Sequence, residues 1–128
     1  MKRIVFLLCL LLLTGCGLQK EEKIRDLEFT VVQPQEEPEA LQTIINEKKQ
    51  EAFELTFCTG NDLYLVVGYG PQYIGSSIQV KEVYETKTQI NLDTTLIGPE
   101  TVVDETKMSY PYIVVKIENI MDKQVNMY

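Results

Sequence analysis

The sequence contains no histidine and no tryptophan, and basic residues are scarce, with 12 Lys and Arg against 19 Asp and Glu. Without histidine, the chain cannot form a Ser-His-Asp or Cys-His catalytic centre, or a histidine-ligated zinc or haem site. The formal net charge of -7 also argues against a nucleic-acid partner, because phosphate binding needs a cationic surface. We therefore expect no enzyme, no catalytic residue and no cofactor or metal site. Binding, scaffolding or inhibitory roles are left.

Acidic side chains are abundant, but their spacing does not indicate a site. Asp93 lies on a predicted strand, opposite its apolar side, and Asp104 and Glu105 lie in a polar loop. Neither the ligand periodicity of a calcium loop nor the paired acids of a glycosidase is present. We expect these carboxylates to face water and to promote solubility.

The N-terminus has the order of features of an export signal. Lys2 and Arg3 precede an apolar run at 4–13, which is shorter than the roughly 20 residues of a membrane-spanning helix. The run ends in the motif LTGC, whose last residue is Cys16, and this motif resembles the lipobox of bacterial lipoproteins. The alternative is a plain secretory signal in which Cys16 is an ordinary thiol.

The lipobox predicts a lipoprotein whose signal peptide, residues 1–15, is removed. Cys16 is then the lipid attachment site, and a diacylglycerol with palmitate-type chains provides the two acyl chains that stable membrane anchoring requires. Residues 16–26 are charged and poor in core residues, which predicts a flexible tether, and 27–128 is predicted to be a single domain. We expect a bacterial protein held by its lipid on the extracytoplasmic side of a membrane, at the cell surface or in the periplasm. Cys58 is left without a disulfide partner and is predicted to be a structural thiol on a strand.

Hydrophobic periodicity predicts about six strands and one helix. The predicted strands cover 27–33, 53–58, 63–69, 77–86, 89–97 and 112–118. Between them, Leu41, Ile44, Ile45 and Ala52 form the apolar stripe of a helix that begins near Pro38. The pattern predicts an α+β fold, with an antiparallel sheet curled into a partly open barrel or sandwich and the helix packed on one opening.

One strand breaks its own alternation. Ile78 and Val80 share a face of the strand at 77–86, but Val83 falls on the opposite face. A β-bulge near Lys81 and Glu82 restores a common face, and we predict one there.

Two segments rich in tyrosine and proline are the candidate partner-binding surface. The segment at 68–77 follows a buried strand, and neither a helix nor a nearby lysine follows it, which excludes a phosphate-binding loop. One interpretation is a hairpin connection whose glycines supply unusual backbone angles. The other is a rigid aromatic patch for a protein partner. The candidate residues are Tyr69, Pro71, Tyr73, Tyr110 and Pro111.

Four motifs also resemble a known family. They are LVVGYGP at 65–71, GSSIQV at 75–80, DTTLIGP at 93–99 and SYPYIVVKI at 109–117. Together they resemble the C-terminal domain of the PrcB family of protease-complex subunits, over about residues 53–120. One difference is the segment PQYIGSS at 71–77, where that family has a PTGGY-like loop. The resemblance implies a non-catalytic lipoprotein that associates with an exported protease and stabilises it.

These observations favour a membrane-anchored accessory protein that binds and stabilises an exported partner, such as a protease. Two other functions stay open. One is a protease inhibitor whose 68–77 loop enters an active-site cleft. The other is a small-ligand or cell-wall-binding module that uses the barrel opening, which requires an apolar pocket with a few convergent polar groups.

Overall fold

The computed structural model describes residues 21–120 and 123–128. The predicted signal peptide, the lipobox and Cys16 lie outside these residues. The described part contains ten strands, one α-helix and one 3-10 helix. The strands are β1 Arg25–Asp26, β2 Thr30–Val31, β3 Ala52–Thr59, β4 Asp62–Tyr69, β5 Gln72–Tyr73, β6 Ser77–Glu85, β7 Gln89–Ile97, β8 Met108–Ser109, β9 Tyr112–Glu118 and β10 Gln124–Met127. The 3-10 helix is Pro34–Glu36, and helix α1 is Glu39–Lys48.

Eight of the strands form two sheets that pack face to face. The first sheet has the order β1-β6-β7-β10, the second has the order β2-β9-β4-β3, and β5 and β8 form a separate ladder. Neighbouring strands are antiparallel except for β10, which runs parallel to β7. Within the described residues neither sheet closes into a barrel. The predicted α+β class is therefore confirmed, in its sandwich form.

Branched aliphatic side chains fill the space between the sheets. They come from β4, β6, β7 and β9, and they are Leu63, Leu65, Val67, Val83, Ile90, Leu92, Ile113, Val115 and Ile117. Burying one such side chain stabilises the fold by roughly 1.5–3 kcal/mol. The pairing of β6 with β7 shifts register between Val80 and Glu82, so the predicted bulge is confirmed. The bulge lets Val83 join the core beside Ile78 and Val80.

Helix α1 packs on the outer face of the second sheet, not on an opening as predicted. Leu41 and Ile45 are fully buried against Tyr64, Val66 and Val114. β4 supplies side chains to this cluster and to the inter-sheet core, which is why its sequence is apolar on both faces. The sandwich therefore has three layers: helix, second sheet and first sheet.

The helix is shorter than its apolar stripe predicts. It ends at Lys48, and Ala52 is exposed as the first residue of β3, paired with Tyr69. The placement of Ala52 on the helix stripe was therefore wrong. The pairing with β4 is the physical reason, because the edge strand has to begin at this point to cover Gly68 and Tyr69.

The N-terminal part of the fold also differs from the prediction. The expected strand at 27–33 is reduced to β2, and β1 precedes it, because the chain crosses from the first sheet to the second between Asp26 and Thr30. Arg25 and Asp26 pair with the end of β6. The first strand therefore lies inside the segment 16–26 that was predicted to be a tether. In the described residues no helix is long and apolar enough to cross a membrane.

The long strands give the sandwich two distinct ends. Residues 21–26, here called the strap, lie at the end that carries the turn from β6 to β7. Glu21 accepts hydrogen bonds there from Thr86 and Thr88. Residues 70–76 and 98–111 lie at the other end, here called the loop end. β6 spans the distance from Ser77 to Glu85, which is roughly 27 Å at 3.3 Å per residue.

Candidate functional site

The two tyrosine-bearing segments lie side by side at the loop end. β5 pairs with β8, with Gln72 opposite Ser109 and Tyr73 opposite Met108. The hydroxyl of Ser109 also donates hydrogen bonds to the carbonyl oxygens of Gln72 and Tyr73, at 3.3 and 3.4 Å. Segments that are distant in sequence thus form one surface.

The backbone under this surface is fixed by two close approaches. Gly70 has φ of 70°, and a Cβ atom there would lie 2.9 Å from the backbone nitrogen of Ala52. Gly75 has φ of 96°, and a Cβ atom there would lie 3.1 Å from Pro99. Positive φ is accessible to glycine at little cost. The prediction that these glycines serve unusual backbone angles is confirmed at both positions.

The five candidate residues divide into two groups. Tyr73 and Tyr110 are exposed, and so is Pro71. Tyr69 instead packs against the inter-sheet core, and its hydroxyl shares a hydrogen bond of 2.7 Å with that of Thr94. The carbonyl of Pro111 accepts the backbone N–H of Tyr69 at 3.1 Å. Tyr69 and Pro111 therefore hold the two segments together, and the other three face solvent.

Two further residues complete the exposed surface. Ile74 and Met108 are both exposed, and Met108 lies on the same face of the ladder as Tyr73 because the two are directly opposite. Tyr110, two residues after Met108 and beyond the end of β8, is exposed as well. We call Tyr73, Ile74, Met108 and Tyr110 the loop-end patch. Exposed apolar clusters of this kind mark interaction surfaces.

Met108 and Ile74 were missed by sequence reasoning. Met108 lies in a polar segment, and only its pairing with Tyr73 makes it part of the patch. Ile74 could have been found, since it sits in the turn between Tyr73 and Gly75, where an apolar side chain has no core to enter.

A half-buried tyrosine holds the strand behind the patch. Tyr112 begins β9, and its hydroxyl donates to Oε1 of the buried Glu37 at 2.7 Å. Burial, together with this hydrogen bond, raises the pKa of Tyr112 to about 12. The phenol is therefore neutral at physiological pH and ties β9 to the segment before helix α1.

The loop between β7 and β8 has its own polar anchor. Asp104 accepts hydrogen bonds from the backbone N–H and the hydroxyl of Thr106, at 2.9 and 2.6 Å. These bonds lower the pKa of Asp104 below its ordinary value. The carboxylate shapes this turn, while Glu105 is exposed and Asp93 is half-buried on β7.

The described residues bring together no group of three or more Cys, Asp or Glu that could hold a metal ion. Cys58 lies on β3, as predicted, and its side chain is exposed. The loop-end patch offers apolar contact and two phenol hydroxyls. Such a surface can bind another molecule by shape and desolvation.

A scan against protein-family models, a search of curated proteins and a search of solved structures each found no match to this chain. The fold and the site define a three-layer α+β sandwich with an exposed apolar loop end. The resemblance to the PrcB family rests on the motifs quoted above and stays a prediction. Two of these motifs contribute Tyr69 and Tyr110 to the paired segments.

Proposed function

We propose that this protein is a non-catalytic, lipid-anchored lipoprotein that binds and stabilises an exported partner, such as a protease, through its loop-end patch. The observation that carries the proposal is the pairing of Tyr73 with Met108, which places exposed apolar side chains from two segments on one braced surface. Aromatic side chains are enriched among residues that dominate binding energy. A surface that is rigid before binding loses less entropy on association.

The position of the strap supports the same function. The stretch from Cys16 to Glu21 reaches at most about 17 Å when extended. An anchor on Cys16 would therefore hold the strap end close to the lipid headgroups. The loop-end patch lies at the opposite end of the sandwich, which would leave it open to a partner on the side away from the membrane.

A second function is supported by the shape of the 70–76 segment. Its tip carries Tyr73 and Ile74 outward, and the ladder with β8 together with Gly70 and Gly75 restrains its backbone. A restrained loop with an apolar tip is suited to enter a protease cleft. On this alternative the partner is a protease that is inhibited rather than stabilised.

The test is recovery of the partner from gently solubilised membranes with C-terminally tagged protein, identified by mass spectrometry. We expect an exported protein in near-stoichiometric amount, lost from the Tyr73→Ala and Met108→Ala variants. Phe29→Ala is the matched control, because Phe29 is 42% exposed and Tyr73 is 43% exposed, and Phe29 lies away from the patch. Equal recovery with wild type and Tyr73→Ala would contradict the proposal.

The recovered protein then separates the two functions. If it is a protease, full activity in the eluate and lower abundance after deletion of this chain indicate a stabiliser. Suppressed activity that returns with Tyr73→Ala indicates an inhibitor. The anchor is tested separately with Cys16→Ser, which we expect to move the protein into the soluble fraction. Unchanged membrane fractionation of that variant would rule out the lipid anchor.

A further inference from the structure

A pocket of about 240 Å³, lined by residues that carry polar groups, lies on the outer face of the first sheet, at the strap end. Its floor is a row of paired residues across three strands, with Asn91 between Tyr84 on one side and Asn126 on the other. Tyr128 follows β10, and its hydroxyl shares a hydrogen bond of 2.6 Å with that of Tyr84. Glu21 of the strap completes the rim. We call this the amide pocket.

Asn91 is the unusual group in the amide pocket. It is 3% exposed, and its Oδ1 accepts a hydrogen bond from Nδ2 of Asn126 at 3.2 Å. Its own Nδ2 has no hydrogen-bond partner among the described residues. Buried side-chain amides are rarely left in this condition in folded proteins. Asn91 is also one of the residues that line the pocket, so a molecule in the pocket lies next to this amide.

The rim of the pocket carries a fixed negative charge. The carboxylate of Glu21 accepts hydrogen bonds from the hydroxyls of Thr86 and Thr88, at 2.8 and 2.7 Å. These bonds lower the pKa of Glu21, so the carboxylate stays ionised at physiological pH. The strap is also held by Lys23, whose Nζ lies 5.0 Å from the centre of the Tyr84 ring.

The chemistry of the lining selects the class of ligand. An amide N–H needs an acceptor, which a metal cation does not provide. Glu21 is the one charged residue among those that line the pocket, so the lining offers no cationic group to an anion. A hydroxyl group both donates and accepts, and it therefore satisfies the Asn91 amide in either orientation of that side chain.

We propose that the amide pocket binds a small neutral polyol, the size of a single sugar ring. The volume is equivalent to about eight water molecules at 30 Å³ each. Asn91, Asn126 and Gln89 provide amide donors and acceptors for ligand hydroxyls. The phenols of Tyr84 and Tyr128 add two more hydroxyls, and the exposed ring of Tyr128 offers apolar contact to the carbon side of a ring. This site lies at the opposite end from the loop-end patch and does not depend on it.

Binding is measured on the full-length protein, purified in a detergent without a sugar headgroup. Glucose, N-acetylglucosamine, inositol and glycerol are titrated by calorimetry and by nitrogen–proton spectra of the side-chain amides. Phosphate and calcium ions are the charged probes. We expect saturable binding of at least one neutral polyol at roughly millimolar concentration, the range for so small a ligand. The shifts should centre on Asn91, Asn126 and Gln89.

Two variants keep the test decisive. Asn91→Leu removes the orphaned amide, and Tyr128→Phe keeps the ring but removes its hydroxyl. We expect at least tenfold weaker binding for the first and severalfold weaker binding for the second. Gln79→Leu is the matched control, since Gln79 is exposed on β6 beyond the pocket, and Tyr73→Ala tests independence from the loop-end patch. Both controls should bind as wild type does.

Three results would overturn the proposal. The first is no saturable binding of any polyol up to solubility, which would mean that the amide pocket holds only water. The second is polyol binding that neither Asn91→Leu nor Tyr128→Phe weakens. The third is saturable binding of phosphate or calcium ions alone.

Discussion

Tyr73 lies directly opposite Met108 in the ladder between β5 and β8. Each residue belongs to a strand of only two residues, so neither strand would persist alone. The ladder exists because β4 and β9 are neighbours in the second sheet and deliver their flanking loops to the same place. The loop-end patch is therefore a product of the sandwich topology, and its geometry depends on the restraint of both loops.

The restraint at Gly70 predicts a specific stability loss. Gly70→Ala introduces a Cβ atom at positive φ and 2.9 Å from the backbone of Ala52. We expect a loss of more than about 2 kcal/mol in the free energy of unfolding, since both backbone strain and a steric clash contribute. Gly60→Ala is the matched control, with φ of 55° and nothing within 4 Å of the new atom, and should cost about 1 kcal/mol. Urea denaturation of both variants measures the difference. Equal losses would show that the contact with Ala52 is not tight.

The long strands and the bulge could be predicted because their signals are local. Alternation within β3 and β6, and the unbroken apolar run of β4, are visible in any short window of sequence. The strands β1, β5, β8 and β10 could not be predicted in this way, and β2 was predicted only as part of a longer strand at 27–33. Each is two to four residues long and is defined by a partner elsewhere in the chain, as the parallel pairing of β10 with β7 shows.

The candidate site was predicted in part for the same reason. Tyr73 and Tyr110 stood out as aromatic residues in turns, and both are exposed. Tyr69 has the same sequence signature but turns inward, because it is the last residue of the buried strand β4 and its hydroxyl reaches Thr94. Nothing in the sequence around Asn91 indicates a site, since the residues that surround its amide come from three strands and the strap.

Tyr112 predicts how stability depends on alkaline pH. Its pKa is about 12 in the fold, above the ordinary value of 10.0, because burial and Glu37 favour the neutral phenol. The stabilisation that the neutral Tyr112 phenol gives the fold is therefore complete below about pH 10. It is lost as the pH rises towards the raised pKa. Tyr112→Phe should cost about 1–2 kcal/mol at neutral pH, because Glu37 loses a hydrogen bond, and should reduce the alkaline decline. Urea denaturation at neutral and alkaline pH tests both effects. A decline as steep as that of wild type would contradict the assignment.

Protonation of Glu85 in acid should weaken the contacts that hold the strap on β6. Lys123 donates to its Oε2 at 2.7 Å, and Arg25 pairs with Oε1. The hydrogen bond from Lys123 and then that from Arg25 lower the pKa of Glu85 below its ordinary value of 4.5. The stabilisation that the ionised Glu85 carboxylate gives the fold is therefore complete above pH 4.5. It is lost as the pH falls through the lowered pKa. Glu85→Gln should cost about 1–2 kcal/mol at neutral pH and weaken the acid dependence.

Hydrogen exchange locates the effect of Glu85. The backbone N–H groups of Ile24 and Leu27 bond to Glu85 and Val83, each at 2.8 Å, and they should exchange faster in Glu85→Gln. Glu100→Gln is the control, since it removes the same charge from an exposed loop residue. If Glu100→Gln accelerates exchange in the strap equally, net charge and not the ion pairs would be responsible.

The Asn91 amide predicts that two substitutions change the free energy of unfolding in opposite directions when no polyol is present. Asn91→Leu removes the unpartnered buried amide and should raise the free energy of unfolding by about 1 kcal/mol, because an apolar side chain of similar size carries no desolvation cost. Asn126→Ala also leaves Oδ1 of Asn91 without its partner and should lower the free energy of unfolding by about 1 kcal/mol. Urea denaturation in polyol-free buffer measures both. If Asn91→Leu instead destabilises the protein as much as Asn126→Ala does, the Asn91 amide already has a partner in the free protein. The case for a ligand in the amide pocket would then be lost.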